Sequence, residues 1–410
     1  YFGFFNFYSR YLEITKYKLF IVFEVKFYFI KNIFFIIFFL FITNVYAKEC
    51  DKIWLIENLE VREINNDPSL AKQNAEKKVS KIAFEKLVKK IVLNSSTNLT
   101  EFSNKISYQE INSMIDFRLI KFEKTLSNRY IGNFDFCFRK DKITNFLKDN
   151  LLAWTELYSS EIIVLPVWKN QFGLRLWNDP NPLKNLLEEK IKTHNGLTNL
   201  IFPKNRIGVL RSIDANLAYF GDEKSISRVI KRSGASRALN MIFELEKVSN
   251  PGDLNYKNWA KLNGEIENPH KISVSAFIHN KNGKKLNSFF KKNSFTSIEN
   301  LPFQLNLILD EVIFHLEENW KKANIFIGEN TDDVQIFIYV TKTKNWVKAI
   351  NKLKSLPGIK NITTYKLTNE GAFVKISVEG GLNRFISIAF ENKLPLTGPK
   401  EKLILNSDKL

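Results

Sequence analysis

From residue 53 to residue 150 the apolar positions of this chain change period several times, and each change predicts an element. Residues 53–61 are strand-like. Asp67-Pro68 then supplies a helix N-cap with proline in the first turn, where a missing N–H costs nothing. After it Ala71, Ala75, Val79, Ile82, Ala83, Leu87 and Ile91 recur at three- and four-residue spacing, which predicts an amphipathic helix. Residues 115–125 and 129–138 read as a hairpin turning at Ser127-Asn128, and a helix is expected from Asp141. The order βαββα predicts a small α+β domain over 48–152.

The pattern changes at Glu161. The unbroken apolar run Ile162-Ile163-Val164-Leu165-Pro166-Val167-Trp168 is that of a buried central strand. A Trp/Pro/Asn-rich loop follows, then a helix to about Lys192 and alternating short elements to Gly234. Strand-like stretches are expected near 238–245, 259–267 and 271–279, and a closing helix at 302–320. This alternation predicts an α/β domain over 158–325. The last unit, 333–406, shows a strand (334–341), a helix (344–353) stopped by Leu356-Pro357-Gly358, a hairpin across Asn369-Glu370-Gly371, a second helix and a final strand at 403–405. That βαββαβ order is the ferredoxin-like plan, a fold that hosts many functions and implies none. The fold class expected is therefore a multi-domain α+β and α/β chain.

Upstream of these domains, residues 33–42 (IFFIIFFLFI) form ten unbroken apolar residues, preceded by Lys26 and Lys31 and followed by Val45-Tyr46-Ala47. A spanning helix needs about 20 apolar residues. A charged stretch, a short apolar run and a small residue instead describe a secretory signal peptide, so cleavage between Ala47 and Lys48 is expected. The alternative is an uncleaved anchor that recruits residues 19–25. The first methionine is Met114, and residues before about 24 are expected to be an upstream extension of the signal. The expected location is the periplasm or cell envelope.

Composition changes this picture little. The 410 residues carry a formal net charge of +18, with 36 Phe and only 2 Met. Asn and Lys abundance matches AT-rich coding, and the basic residues are dispersed rather than grouped. A dispersed field attracts anionic headgroups or acidic polymers without specifying either. No aromatic-interleaved basic stripe points to nucleic acid. Two cysteines in an exported chain, Cys50 and Cys137, leave open a disulfide or two separate thiols.

Several stretches together resemble a family of exported proteobacterial proteins known only as a domain of unknown function. They are the Ala-periodic helix 71–83, the hairpin end Tyr130-Ile131-Gly132-Asn133-Phe134, the strand Ile163-Val164-Leu165-Pro166-Val167-Trp168, Leu176-Trp177 with Asn181-Pro182, and Trp346-Val347. The resemblance implies periplasmic residence and a multi-domain α/β build. It brings no catalytic residues. The middle segment also resembles the amino-terminal domain of TolB-type periplasmic proteins.

No catalytic set is legible: there is no G-x-S-x-G, no G-x-G-x-x-G and no phosphate-binding loop. His194, His270, His279 and His315 are scattered without metal-ligand spacing. Asp332-Asp333 and Asp179 with Glu188-Glu189 lack the alternation of a Ca²⁺ loop. No metal or cofactor is expected. Two constellations remain. Trp168, Trp177, Asn178, Asp179 and Asn181 combine rings, amides and a carboxylate as a glycan or peptide groove does, although the Trp residues equally suit sheet capping. Arg228, Lys231 and Arg232 share a helix face, with Arg237 just beyond, as a candidate anionic-surface site. The function expected is binding or assembly with another envelope protein or polymer. The alternatives are an envelope hydrolase or glycan/peptide-binding enzyme at the Trp168 loop, and an anionic-lipid binder with peripheral or anchored membrane association.

Overall fold

The computed structural model describes residues 49–94, 105–177, 180–203, 207–249, 254–325 and 331–410. Every described helix and strand falls within the unit Lys52–Leu410. The expected signal segment and its Ala47/Lys48 junction lie outside the described residues. Neither cysteine is a free thiol: Cys50 and Cys137 are both disulfide-bonded.

The N-terminal domain is built from β1 (Leu55–Ile64), α1 (Pro68–Ile91), α2 (Tyr108–Met114), β2 (Ile115–Leu126), β3 (Arg129–Phe138) and α3 (Lys140–Asp149). Its antiparallel sheet has the order β1-β3-β2. Asp67 caps α1 by accepting the Ser69 amide at 2.7 Å, leaving Pro68 at the helix start. Ala71, Ala75 and Ala83 are fully buried, and their small side chains allow the helix close approach to the sheet. Phe84, Phe134, Phe136 and Phe138 fill the space between. The short α2 has no long apolar period, but its capping box is explicit, with Ser107 and Glu110 satisfying each other's backbone N–H.

The middle domain contains β4 (Ile162–Asn170), β5 (Gly173–Arg175), α4 (Leu183–Thr193), β6 (Leu200–Ile201), α5 (Ile207–Leu210), α6 (Ala215–Phe220), α7 (Glu223–Ser233), β7 (Arg237–Lys247), α8 (Leu254–Asn263), β8 (His270–His279), β9 (Lys285–Thr296) and α9 (Leu301–Asn324). Strand order is β5-β4-β7-β8-β9, with β6 also on β4. The β4–β7 and β4–β6 pairs are parallel. Residues 162–168 of β4 are buried throughout because two cores flank the strand. Ile162, Val164 and Trp168 join α4 and α9 on one face, while Ile163, Leu165 and Val167 join α6 and α7 on the other.

One expected strand here is a helix. Residues 259–267 fall partly in α8, where Tyr256 and Trp259 sit one turn apart and both rings pack on Phe295 (5.4 and 5.6 Å). The Tyr256 hydroxyl also bonds both backbone groups of Ile266, which closes the loop after the helix. The strand missing from the sequence reading is β9, whose polar stretch KLNSFFKKNSFT hides it.

The C-terminal domain has β10 (Thr331–Tyr339), α10 (Thr343–Lys354), β11 (Ile359–Thr368), β12 (Gly371–Glu379), α11 (Gly381–Glu391), β13 (Leu396–Thr397) and β14 (Leu403–Asn406). The sheet order β11-β12-β10-β14-β13 reproduces the expected arrangement, with a difference at the end. A direct crossover from β12 through α11 would leave the last long strand antiparallel to β10. Instead β13 takes that direction and hairpins back, so β14 runs parallel to β10.

The expected boundary at 152–158 is not a loose linker. Leu93 and Thr155 exchange backbone bonds with Ala153 and Ile91, Trp154 is buried, and Leu157 enters the C-terminal core beside Val334 and Phe385. The connecting segment thus stitches three domains together. No helix among the described residues is long and apolar enough to cross a membrane.

Candidate functional site

Helix α9 carries Glu317, Glu318 and Lys321 on one face, and each grips a different piece of chain. Burial alone pushes the Glu317 carboxyl up. The hydrogen bond and charge of His194 outweigh this, together with the Thr198 hydroxyl and Leu197 amide, and hold it below the usual carboxylate range. Its oxygens take His194 Nε2 at 2.9 Å, Leu197 N at 2.9 Å and Thr198 N at 2.8 Å. That fixes the loop between α4 and β6. Gly196 is needed there for space, since an added Cβ would stand 2.4 Å from Glu317 Oε1.

Glu318 reaches the other way, to the N-terminal domain. It accepts Asn94 N and Asn94 Nδ2 at 2.9 and 2.8 Å. Lys321 is 2% exposed and donates to Lys89 O, to Val92 O at 3.0 Å and to Glu318 at 2.9 Å. A buried ammonium thereby satisfies orphan carbonyls at the C-terminal end of α1, where cations are favoured. Lys90 is likewise buried, donating to Lys52 O and Asn195 Oδ1.

These grips leave an open cleft of about 850 Å³ between the N-terminal and middle domains. Its walls come from β1, the end of α1, the 192–196 loop and α9. A β-bulge in β1 sets Asn58 at φ 56° and exposes Glu57 at the rim, a device that commonly re-aims side chains beside a site. Three lysines of the lining, Lys86, Lys89 and Lys192, are exposed, whereas Lys90 and Lys321 are committed to the floor. Glu318 is paired with Lys321 and Glu317 is held by His194, Leu197 and Thr198, so against the three exposed amines the exposed carboxylate of the lining is Glu57. The chemistry offered is capture of an anionic group at a domain junction, where pockets concentrate.

The residues singled out in the sequence are arranged otherwise. Trp168 and Trp177 are buried on opposite faces of the sheet. Trp177 Nε1 donates to Val164 O at 3.3 Å, and Asn181 Nδ2 to Pro166 O at 2.9 Å. Asn181 Oδ1 also accepts the Leu183 amide at the start of α4. Trp177 and Asn181 hold the loop onto the strand, while Trp168 packs on the other face; Asn178 and Asp179 lie outside the described residues. Arg228 and Arg232 donate to the Ser212 and Gly208 carbonyls around α5, and both remain exposed with Lys231. Arg237 does not join them. Its guanidinium pairs with Glu391 and lies against the Trp320 and Phe390 rings. Among the described residues no group of three or more His, Cys, Asp or Glu could hold a metal ion.

The cleft itself escaped sequence reading because its lysines come from segments more than a hundred residues apart. The available signal was Glu317-Glu318 with Lys321 at three- and four-residue spacing, on the helix whose buried side is Leu305, Ile308, Leu309, Val312 and Leu316.

No described protein family matches this chain, and no curated protein does. Among solved structures, the lipoprotein GNA1162 from Neisseria meningitidis is 11% identical with a TM-score of 0.21, covering 38% of this chain and 96% of its own. Formyltetrahydrofolate deformylase from Burkholderia mallei is 9% identical (TM-score 0.19; 53% and 90% covered). The corresponding enzyme from Pseudomonas syringae pv. tomato is 10% identical (TM-score 0.21; 70% and 95% covered).

Proposed function

We propose that this is an exported cell-envelope protein that binds rather than catalyses, holding an acidic segment of another envelope protein in the lysine-lined cleft. The observation that carries this reading is the junction of Lys86 and Lys89 on one domain with Lys192 on the next, above a floor whose charged groups are already hydrogen-bonded to other parts of the chain. Export is supported by the apolar run at 33–42 ahead of Ala47, and by cysteines in disulfide linkage, which persists in oxidising compartments. The resemblance to uncharacterised exported proteobacterial proteins points the same way.

A fluorescent octaglutamate peptide tests the cleft. It binds the protein with an affinity that falls as salt rises, and the triple variant Lys86→Glu/Lys89→Glu/Lys192→Glu loses that binding. A control with three reversals elsewhere, Lys352→Glu/Lys354→Glu/Lys402→Glu, retains most of it. Equal loss in both variants would mean a diffuse charge effect and would sink the cleft reading.

A further inference from the structure

The C-terminal sheet has a second face. Helices α10 and α11 cover one side through Val334, Ile336, Ile338, Val374, Ile376 and Phe385. Among the described residues no helix packs on the other side. Because side chains alternate along a strand, that open side collects Gln335 and Phe337 from β10, Phe373 and Lys375 from β12, Thr363, Tyr365 and Lys366 from β11, and Ile404 from β14.

The cross-strand register brings the rings together. Phe337 lies directly opposite Phe373 on one side and Ile404 on the other. Ring centroids of Phe337 and Phe373 are 4.8 Å apart, and those of Tyr365 and Phe373 6.1 Å. An irregularity in β11 between Thr364 and Lys366 adds the residue that puts Tyr365 on this row. An aromatic band thus crosses three neighbouring strands. Tyr365 is half-exposed, and Phe337 and Phe373 are part-exposed.

Hydrogen-bonding groups border the band. The Tyr365 hydroxyl bonds Gln335 Oε1 at 3.1 Å, while Asp333 pairs with Lys375 at 2.8 Å and accepts Ser377 Oγ at 2.7 Å. Gln335, Asp333, Thr363 and Lys375 are all exposed. The charge pattern selects among occupants. A single-stranded nucleic acid needs a positive track beside its stacking rings; here Asp333 cancels Lys375 at the border, and Lys366, 5.7 Å from the centre of the Phe373 ring, is one cation and not a track. A neutral polymer with apolar ring faces and hydroxyl edges complements it. β-linked pyranoses with equatorial substituents are of that kind: their C–H faces lie on the electron-rich faces of aromatic rings, and their hydroxyls reach amide, hydroxyl and carboxylate partners at the border.

We propose that this open face is a glycan-binding platform that stacks pyranose rings of a β-linked strand on Phe373, Phe337 and Tyr365. It stands apart from the cleft in both position and chemistry. Isothermal titration of the full mature chain with the tetramer of β-1,4-linked N-acetylglucosamine tests it. Tyr365→Ala weakens binding by about tenfold with an unchanged melting temperature, and Tyr365→Phe, which keeps the ring, restores most of it. Gln335→Ala, also at an exposed position, weakens binding too. Phe373→Ala abolishes binding, and is read only if circular dichroism shows it folded. The triple cleft variant binds the tetramer as the parent does. Absence of tetramer binding by the parent, or equal binding by Tyr365→Ala and Gln335→Ala, overturns the proposal. So does binding of oligo-dT at this face in place of the tetramer, or a self-association that these same substitutions abolish.

Discussion

Arg237 and Glu391 form a two-pronged ion pair across the junction of the middle and C-terminal domains, with a contact of 3.1 Å from Nη1 to Oε2. The Glu391 side chain is 2% exposed and also accepts the Ser160 amide and hydroxyl on Oε2, while Oε1 takes Arg237 Nη2. The Trp320 and Phe390 rings lie 5.3 and 5.4 Å from the guanidinium carbon, adding cation–π attraction on the same cation. Arginine suits this position because its planar fork matches a carboxylate while its faces stack on rings.

Removing Glu391 takes the carboxylate from a part-buried guanidinium and leaves the Ser160 amide and hydroxyl without their acceptor. Glu391→Ala is expected to destabilise the chain by about 3 kcal/mol, measured by urea denaturation. The double variant Arg237→Met/Glu391→Leu should lose clearly less. A single-variant loss near zero would show that the pair does not join the domains energetically.

Gly196 lies against the Glu317 carboxylate with no room for a methyl group. Gly196→Ala should cost about 1–3 kcal/mol through overpacking. It should also raise amide exchange at Leu197 and Thr198, whose N–H groups both bond Glu317. Unchanged exchange there would mean that the loop absorbs the methyl without leaving its carboxylate anchor.

His279 is 1% exposed, with Nδ1 donating to Gly283 O at 2.9 Å. Nε2 has no hydrogen-bond partner among the described residues. Burial lowers its pKa, the Gly283 bond opposes this, Lys285 adds to the lowering, and Glu223 opposes it. The unfolded chain therefore takes up a proton at about pH 6.5, while the folded chain resists until lower pH. By linkage, stability is full above that value and declines as pH falls below it. Melting curves from pH 7.5 to 5.5 should show this slope, and His279→Gln should flatten it. An equal slope in the variant would place the titration elsewhere.

Asp67 is the cap that local sequence announces most clearly. Asp67→Ala should cost about 1 kcal/mol without changing the fold, as read by melting temperature and circular dichroism.

How much of this was legible follows from where each signal resides. Asp67-Pro68 and the Ala71–Ala75–Val79 spacing encode α1 locally, and the turn at Ser127-Asn128 lies where the hairpin turns. The strand at Ile162 was visible as an apolar run, but a strand buried on both faces carries no alternation to say which side Trp168 takes. Trp168 and Trp177 therefore read as one groove although the sheet separates them. Residues 259–267 misled because Trp259 and Ile266 suit a strand by composition, whereas contact with Phe295 fixed Tyr256 and Trp259 on a helix. The cleft and the aromatic face depend on tertiary and cross-strand register. Phe337 and Phe373 are ordinary strand residues until β12 is placed beside β10.

The measurement that bears most directly on the central claim is zero-length amine-to-carboxylate cross-linking in intact cells, followed by mass spectrometry of the native protein. The account predicts chains that begin at Lys48 and carry partner adducts at Lys86, Lys89 or Lys192. Adducts spread evenly over the surface lysines, or chains still bearing the residues before Lys48 in the cytoplasmic fraction, would contradict it.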